Sequence, residues 1–198
     1  MIRPVLLSLG MVALAGANAA HAAPTAPLQT PNPVFDNFGP AHTYLCCWGG
    51  NVAGVTTNSP EMEAAAFTPA GNQTVHHIAV GLGLVSGDDA AVVSLYTDNA
   101  GLPGTDITDG VILGGMPSFT LSNNAIVTAS IPATPLIGGT QYWLVVWEDT
   151  ANTVSVWNYS PRYQGSPGAT AFCSGGNSCT WTAYPSIPAN QMFAFKVW

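Results

Sequence analysis

Four cysteines carry the most definite chemistry in this chain, because cysteine pairs form disulfides in oxidising compartments. Cys173 and Cys179 are separated by a short segment rich in Gly, Ser and Asn, so a disulfide between them would close a small loop. Cys46 and Cys47 are adjacent and would bridge only through a strained ring, so the competing pairings join them to Cys173 or Cys179. Four cysteines allow three pairings, and the spacing favours Cys173–Cys179. A four-thiolate metal site would need C-x₂-C pairs, which this chain lacks.

Metal ligation by other side chains is the second chemistry to consider. His76 and His77 are adjacent, and neighbours on a strand face opposite ways, so they cannot chelate one ion together. Calcium binds oxygen ligands, and one turn-rich segment offers four side chains that carry oxygen: Asp98, Asn99, Asp106 and Asp109. That spacing is not the EF-hand pattern, and turn formation explains the segment equally well. We therefore predict no metal and no cofactor, with calcium as the alternative.

Catalysis finds little support in the residue pattern. Two carboxylates suffice for glycoside hydrolysis, and the chain has three glutamates, Glu61, Glu63 and Glu148. Glu61 and Glu63 share a loop edge, whereas Glu148 ends an apolar segment far along the chain. No serine stands in a G-x-S-x-G elbow. We assign no catalytic residue, and a secreted hydrolase is the third hypothesis.

Ligand binding by aromatic side chains is the more suggestive chemistry. Aromatic faces stack on the apolar faces of sugar rings, while Asn and Gln bind hydroxyl groups. The same aromatic residues would otherwise pack a long loop onto a core. Five of them cluster among polar residues late in the chain: Trp157, Tyr159, Tyr163, Trp181 and Tyr184.

Charge narrows the choice of partner. The chain has three Lys and Arg against ten Asp and Glu, a net charge of −7, and 7% charged residues. Nucleic acid and anionic membrane surfaces are attracted by basic side chains, so neither is an expected partner. The remaining surface must be built from Thr, Ser, Asn, Gln and Gly. Such a surface suits a neutral polysaccharide or other proteins of a cell surface or matrix.

The N-terminus predicts export. A short basic start is followed by an apolar run, Val5 to Ala17, and by Ala20-His21-Ala22, which has the small residues that a signal peptidase reads. The run is shorter than the ~20 residues that cross a bilayer. We predict a signal peptide over residues 1–22, a Pro-rich lead-in over 23–33, and one domain over 34–198, with no membrane span in the mature chain.

The elements that position these residues are β-strands. Gln141 to Glu148 is the strongest candidate, because it combines aromatic and β-branched residues with apolar side chains on both faces. We predict that this strand is central to the core, and that Thr153 to Tyr159 pairs with it as a hairpin. Thr74 to Val85 alternates as one further strand. Eight or nine short strands and the absence of capped helical patterns predict an all-β fold, an antiparallel two-sheet β-sandwich of jelly-roll type.

Two segments of this strand pattern also carry a family resemblance. Ser94 to Gly104 (SLYTDNAGLPG) followed by Gly138 to Trp147 (GGTQYWLVVW) resembles the choice-of-anchor R type of bacterial exported domain. Phe35 to Pro40 and Ala66 to Asn72 fit the same pattern. Domains of this type often precede a C-terminal sorting signal of the PEP-CTERM kind. The resemblance therefore implies a fold and a location rather than a reaction.

The end of the sequence departs from that family pattern. Phe195 to Trp198 includes neither an apolar anchor nor a basic tail, so the resemblance predicts the domain without the anchor. The leading hypothesis is an exported, non-enzymatic β-sandwich with a structural or adhesive role at the cell surface or in the extracellular matrix. The alternative is a carbohydrate-binding module that uses the late aromatic residues.

Overall fold

The computed structural model describes residues 32–57, 60–120, 125–162, 167–173, 179–184 and 192–198. The predicted signal peptide and most of the lead-in lie outside these residues. The described part contains fourteen β-strands and one short 3₁₀ turn, Pro40–His42. In chain order the strands are β1 (Phe35–Asp36), β2 (Leu45–Ala53), β3 (Glu61–Phe67), β4 (Gln73–Val80), β5 (Leu82–Ser86), β6 (Ala91–Asn99), β7 (Leu102–Asp106), β8 (Val111–Leu113), β9 (Val127–Leu136), β10 (Tyr142–Glu148), β11 (Val154–Tyr159), β12 (Gly168–Cys173), β13 (Cys179–Ala183) and β14 (Phe195–Val197).

The strands form two antiparallel sheets of unequal size. The small sheet has the order β1-β14-β4-β9. The large sheet has the order β5-β11-β2-β3-β10-β6-β7, with β12 beside β3, β13 beside β12 and β8 beside β6. The predicted all-β, antiparallel two-sheet sandwich is confirmed. In the part of the chain that the structure describes, no helix is long and apolar enough to cross a bilayer.

The main hydrophobic core lies between the two sheets. It combines residues of the small sheet, such as Ile78 and Phe195, with residues of the large sheet, such as Leu144 and Trp157. A second cluster lies on the other face of the large sheet, where Trp143 packs with Ala169 of β12 and Trp181 of β13. The large sheet is therefore covered on both faces in its middle, which requires apolar residues on both faces of its central strands.

Strand β10 is the central strand that the sequence predicts. It pairs with β3 on one side and with β6 on the other. Tyr142, Leu144 and Val146 contribute to the core between the sheets, whereas Trp143 and Val145 contribute to the outer cluster. The prediction of a doubly covered strand, with one face covered by the late part of the chain, is confirmed.

The predicted hairpin between β10 and β11 is wrong. Strand β11 pairs with β2 and β5, and it makes no ladder with β10. Both edges of β10 are already occupied by β3 and β6, so the turn after Glu148 carries the chain to another part of the large sheet. Sequence separation suggested a hairpin, but competition for strand edges decides the pairing.

The predicted single strand Thr74 to Val85 is also two strands in two sheets. Strand β4 belongs to the small sheet and β5 to the large one, and Gly81 lies between them. A Cβ atom added at Gly81 would approach the Tyr44 ring to 2.9 Å, so glycine is needed for this close approach. The alternating pattern continues across the break because both halves line the same core.

Candidate functional site

The late aromatic residues on β11 are part of the core. The Trp157 side chain is fully buried, its ring stacks on Phe193 with centroids 4.5 Å apart, and its indole N–H donates to the Ala194 carbonyl at 3.0 Å. Tyr159 is half-buried and stacks on the Phe193 ring at 5.4 Å. The ring faces of Trp157 are therefore taken up by protein contacts.

The remaining late aromatic residues have separate surroundings. Trp181 is half-buried and packs on the outer cluster of the large sheet, away from the core that holds Trp157. Tyr184 packs against the inner core and bonds a carboxyl group there. Tyr163 lies outside the described residues. The structure thus brings Trp157 and Tyr159 together around one phenylalanine, and it does not join the four described residues into one exposed surface.

Glu63 and Tyr184 form a buried polar pair within the inner core. Glu63 is 1% exposed, and the Tyr184 hydroxyl lies 2.6 Å from each of its carboxyl oxygens. Burial raises the pKa of Glu63 to about 9, the Tyr184 hydrogen bond opposes this rise, and the charge of Glu61 adds to it. Glu63 is therefore protonated at neutral pH. A substrate has no access to this carboxyl group, so it does not resemble a catalytic acid in an open cleft.

Glu148 is the second buried carboxyl group. It is 8% exposed, and the Ser155 hydroxyl donates to its Oε1 atom at 2.5 Å. Burial raises the pKa of Glu148 to about 7, and the hydrogen bonds from Ser155 oppose the rise. Its Oε2 atom is buried without a hydrogen-bond partner. Glu148 is a polar group inside the packed fold, and it also lines a pocket of about 410 Å³ together with Trp147 and the Cys173–Cys179 pair.

The aspartates considered as calcium ligands have protein partners instead. Asp98 Oδ1 accepts hydrogen bonds from the indole N–H of Trp143 at 2.8 Å and from the Gln141 amide at 2.7 Å, while Oδ2 accepts from the Gly101 N–H. The hydrogen bond from Trp143 makes the largest contribution to lowering the pKa of Asp98. Asp106 Oδ1 caps a turn by accepting from backbone N–H groups. Among the described residues, no group of three or more His, Cys, Asp or Glu side chains is placed to hold a metal ion.

The cysteines form two disulfides, each between near neighbours. The predicted Cys173–Cys179 bond joins β12 to β13, with the sulfur atoms 2.03 Å apart. Cys46 and Cys47 bond to each other. The competing pairings, in which Cys46 or Cys47 bonds to Cys173 or Cys179, are therefore wrong. The Cys173–Cys179 bond joins residues that are already paired in the β12–β13 ladder.

The Cys46–Cys47 bond lies in a bulge of β2 that presents a tryptophan to solvent. On β11, Asn158 pairs with Gly49 while its neighbour Tyr159 pairs with Leu45. Residues 46–48 therefore have no partners in this ladder and project from the strand. Trp48 at the end of the bulge is 68% exposed, which is more than any other large hydrophobic side chain that the structure describes. Bulges re-aim side chains and are frequent next to functional sites.

Trp48 borders a groove of about 640 Å³ on the large sheet, which we call the Trp48 groove. Asn51 and Ala53 line it from β2, on the face opposite Val52, which belongs to the core. The rest of its lining includes the valines Val85, Val154 and Val156, the aromatic residues Phe119 and Tyr159, and the polar residues Thr57 and Glu61. The groove is thus mostly apolar with a few polar groups, as small-ligand sites are.

Glu61 is the one charged side chain among the described residues that line the Trp48 groove. Its backbone pairs with Ala53 at the end of β3, and its Oε1 atom accepts a hydrogen bond from the Thr170 hydroxyl at 3.3 Å. Partial burial raises the pKa of Glu61, and the Thr170 hydrogen bond opposes the rise. Among the described lining residues there is therefore no cationic group for an anionic ligand.

The sequence pattern around Trp48 did not predict this groove. Of the predicted aromatic residues that the structure describes, only Tyr159 belongs to the groove lining. One signal was present: Cys46-Cys47-Trp48-Gly49-Gly50 places a large aromatic residue between a cysteine pair and two glycines. Its exposure follows from the bulge, which depends on pairing with β11 about a hundred residues later.

Comparison with known proteins gives no identification. No family model matches the chain, and no curated protein matches it at a significant level. The fold and the chemistry of the described residues are therefore the basis for the function proposed next.

Proposed function

We propose that this protein is an exported, non-enzymatic bacterial β-sandwich with a structural or adhesive role at the cell surface or in the extracellular matrix. The observation that carries the proposal is the combination of two disulfides with a sandwich that packs its described late aromatic residues against its hydrophobic clusters. Disulfides persist in proteins of oxidising compartments. The signal-like segment over residues 1–22 agrees with that location.

The two segments that resemble choice-of-anchor R domains support the same proposal. SLYTDNAGLPG covers the end of β6, its turn and the start of β7, and GGTQYWLVVW covers β10. Strands β6 and β10 pair with each other in the middle of the large sheet. Their residues are those that build a fold, which suits a family defined by architecture and location. We therefore propose membership of that family together with the extracellular role.

The glutamates favour a non-catalytic protein over a secreted hydrolase. A glycosidase needs two carboxyl groups that flank a substrate, about 5–10 Å apart in an accessible cleft. Glu63 is 1% exposed, so a polysaccharide has no access to it, and Glu148 is 8% exposed in a pocket whose described lining contains no second glutamate. Glu61 is left as a single carboxyl group at the edge of the Trp48 groove.

A deletion and complementation experiment tests this proposal. In the bacterium that encodes the chain, we expect deletion of the gene to weaken attachment or matrix cohesion. The full chain should restore the phenotype and appear outside the cytoplasm without residues 1–22. The matched control is a chain that lacks residues 1–22 from the start, which should fold but remain inside the cell and fail to restore attachment. Full attachment in the deletion strain, or a cytoplasmic full-length product, would overturn the proposal.

A further inference from the structure

We propose that the Trp48 groove binds an uncharged saccharide, with the Trp48 ring as the platform on which a sugar ring stacks. This inference rests on the proposed adhesive function, since it names the kind of ligand through which the protein would attach. It concerns a surface that the late aromatic residues do not form, apart from Tyr159 at its lining.

The exposure of Trp48 is unusual for this residue type. Tryptophan is a large apolar side chain, and burying it is among the strongest contributions to a protein core. In this sandwich Trp143 and Trp157 are fully buried, whereas Trp48 is 68% exposed. An exposed tryptophan held beside a groove offers one ring face to a partner. The negative face of an indole ring attracts the C–H groups on the apolar face of a pyranose.

The backbone around Trp48 is held in place on both sides of the residue. Residues 46–48 bulge out of β2 between two paired positions, Leu45 and Gly49, so both ends of the bulge are fixed by the ladder with β11. The Cys46–Cys47 bond closes a covalent ring immediately before Trp48 and reduces the conformations open to the bulge. A platform that is ordered before binding loses less conformational entropy when the ligand arrives.

Polar side chains on the groove lining can form hydrogen bonds with sugar hydroxyl groups. Asn51 is exposed, and Thr57 and Glu61 are partly exposed. An amide, a hydroxyl and a carboxyl group offer both donors and acceptors, which is what a ligand with many hydroxyl groups requires. The volume of about 640 Å³ falls within the range of roughly 300–1,000 Å³ typical of small-ligand sites.

The charge of the protein favours neutral saccharides over anionic ones as ligands of the groove. The described lining contains no Lys or Arg, and the whole chain has a net charge of −7. Uronate or sulfate groups would find no cationic partner in the described lining. The negative charge of the protein would repel them, and salt screens this repulsion at longer distances. Glu61 Oε1 accepts one hydrogen bond from the Thr170 hydroxyl, and the remaining acceptor sites of this carboxyl group can accept hydrogen bonds from sugar hydroxyl groups.

Binding assays with the exported protein test the proposal. The probes are short oligosaccharides derived from cellulose, xylan and mannan, measured by calorimetry, with a polyuronate and choline as charged probes. We expect saturable binding of at least one neutral probe, and Trp48→Ala should lower the affinity by about tenfold or more, as loss of an aromatic anchor does. Asn51→Ala should lower it by a smaller factor.

Phe172→Ala is the matched control. Phe172 is 56% exposed on β12 of the same sheet, and it does not line the Trp48 groove. We expect this variant to bind as the wild type does, and both variants should keep the wild-type melting temperature because both rings are exposed.

Three results would overturn the inference: wild-type affinity in Trp48→Ala, an equal loss in Phe172→Ala, or binding of only the polyuronate or only choline. If no neutral probe binds while the deletion strain still loses attachment, the saccharide inference fails and the adhesive function stands. If the deletion strain attaches normally while Trp48→Ala loses saccharide binding, the adhesive role fails and the binding site stands.

Discussion

The Tyr184 hydroxyl lies 2.6 Å from both carboxyl oxygens of Glu63, so the segment after β13 is tied to the middle of β3 by one buried polar pair. The pair lies beside glycine: a Cβ atom added at Gly50 would approach Glu63 Oε1 to 2.4 Å. Such a pair stabilises the fold only while its hydrogen bonds match its protonation state. The stability of this protein should therefore depend on pH in a specific way.

We expect Glu63 to make the protein less stable as the solution becomes alkaline. Its pKa is raised from an ordinary 4.5 to about 9 in the folded state. The folded state binds the proton more tightly, so this contribution is fully present below the unfolded pKa and is lost as the pH rises through the folded pKa. Glu63→Gln keeps the shape without the titration and should remove the contribution of this residue, so that the fall in the free energy of unfolding between about pH 7 and pH 9 disappears. Urea unfolding at a series of pH values measures it.

Tyr184→Phe provides the comparison for Glu63. The Tyr184 hydrogen bond opposes the rise of the Glu63 pKa, so its loss should raise that pKa further and extend the fall in stability to higher pH. It should also cost about 1–3 kcal/mol, because a buried carboxyl group loses its partner. A Glu63→Gln protein that keeps the wild-type fall in stability above pH 7 would contradict the assignment.

Glu148 should act over a narrower pH window. Burial raises its pKa from 4.5 to about 7, so its contribution is present below the lower value and is lost as the pH rises through the upper one. We expect Glu148→Gln to reduce the slope of the stability profile between these two values, where Glu63 still contributes, and to leave the fall at higher pH unchanged. The same unfolding series separates the two glutamates. An altered profile confined to alkaline pH would contradict the prediction for Glu148.

Trp143 and Trp147 should differ strongly in their effect on stability, although they face the same side of β10. Trp143 is fully buried and donates to Asp98, whereas Trp147 is partly exposed and contacts Tyr96 edge-on with centroids 6.5 Å apart. Trp143→Ala should cost about 3–5 kcal/mol. Trp147→Ala should cost less, because part of its surface is already in water. Thermal unfolding measures both, and equal losses would argue against the described packing.

The sequence predicts β10 and its two faces well because this strand's own residues contain the necessary information. Tyr142 to Glu148 is apolar on both faces whichever strands pair with it. The partner of β11 is different, because it depends on which strand edges remain free after β3 and β6 have paired with β10. Local pattern contains no information about that competition, so the predicted hairpin was wrong.

The candidate site was out of reach of sequence reasoning for a related reason. An exposed Trp48 and a buried Trp157 are the same residue type on two strands that pair with each other. Their difference arises from the pairing of Asn158 with Gly49 and of Tyr159 with Leu45, which leaves residues 46–48 outside the ladder. The late aromatic residues looked suggestive because they lie among polar residues in sequence, but the fold packs Trp157, Tyr159 and Tyr184 against the core between the sheets.

Two glycines provide a matched test of the β2–β11 ladder. A Cβ atom added at Gly49 would lie 2.0 Å from the Trp157 carbonyl oxygen, whereas nothing lies within 4 Å of one added at Gly71. We expect Gly49→Ala to separate β2 from β11, which should lower the melting temperature strongly and disturb the bulge that presents Trp48. Gly71→Ala should leave the melting temperature almost unchanged. Similar melting temperatures for both variants would contradict the described register.

The Cys173–Cys179 disulfide should stabilise the fold without affecting the Trp48 groove. It closes a loop with a sequence separation of 6, for which chain entropy predicts a stabilisation of about 2 kcal/mol. Neither cysteine lines the groove. The double variant Cys173→Ser, Cys179→Ser should therefore unfold at a lower denaturant concentration and retain saccharide affinity. A lost affinity with unchanged stability would show that the β12–β13 pair belongs to the binding site.

Within β2, the residues that pair with β11 are constrained by that pairing, whereas residues 46–48 in the bulge are not. Leu45 and Gly49 keep their partners on β11, and the residues between them make no cross-strand pairs there. An insertion or exchange confined to the bulge would leave the ladder intact on both sides. Mutation can therefore alter the presented surface independently of the scaffold, which makes this segment a natural point for evolutionary divergence and a practical site for grafting peptides.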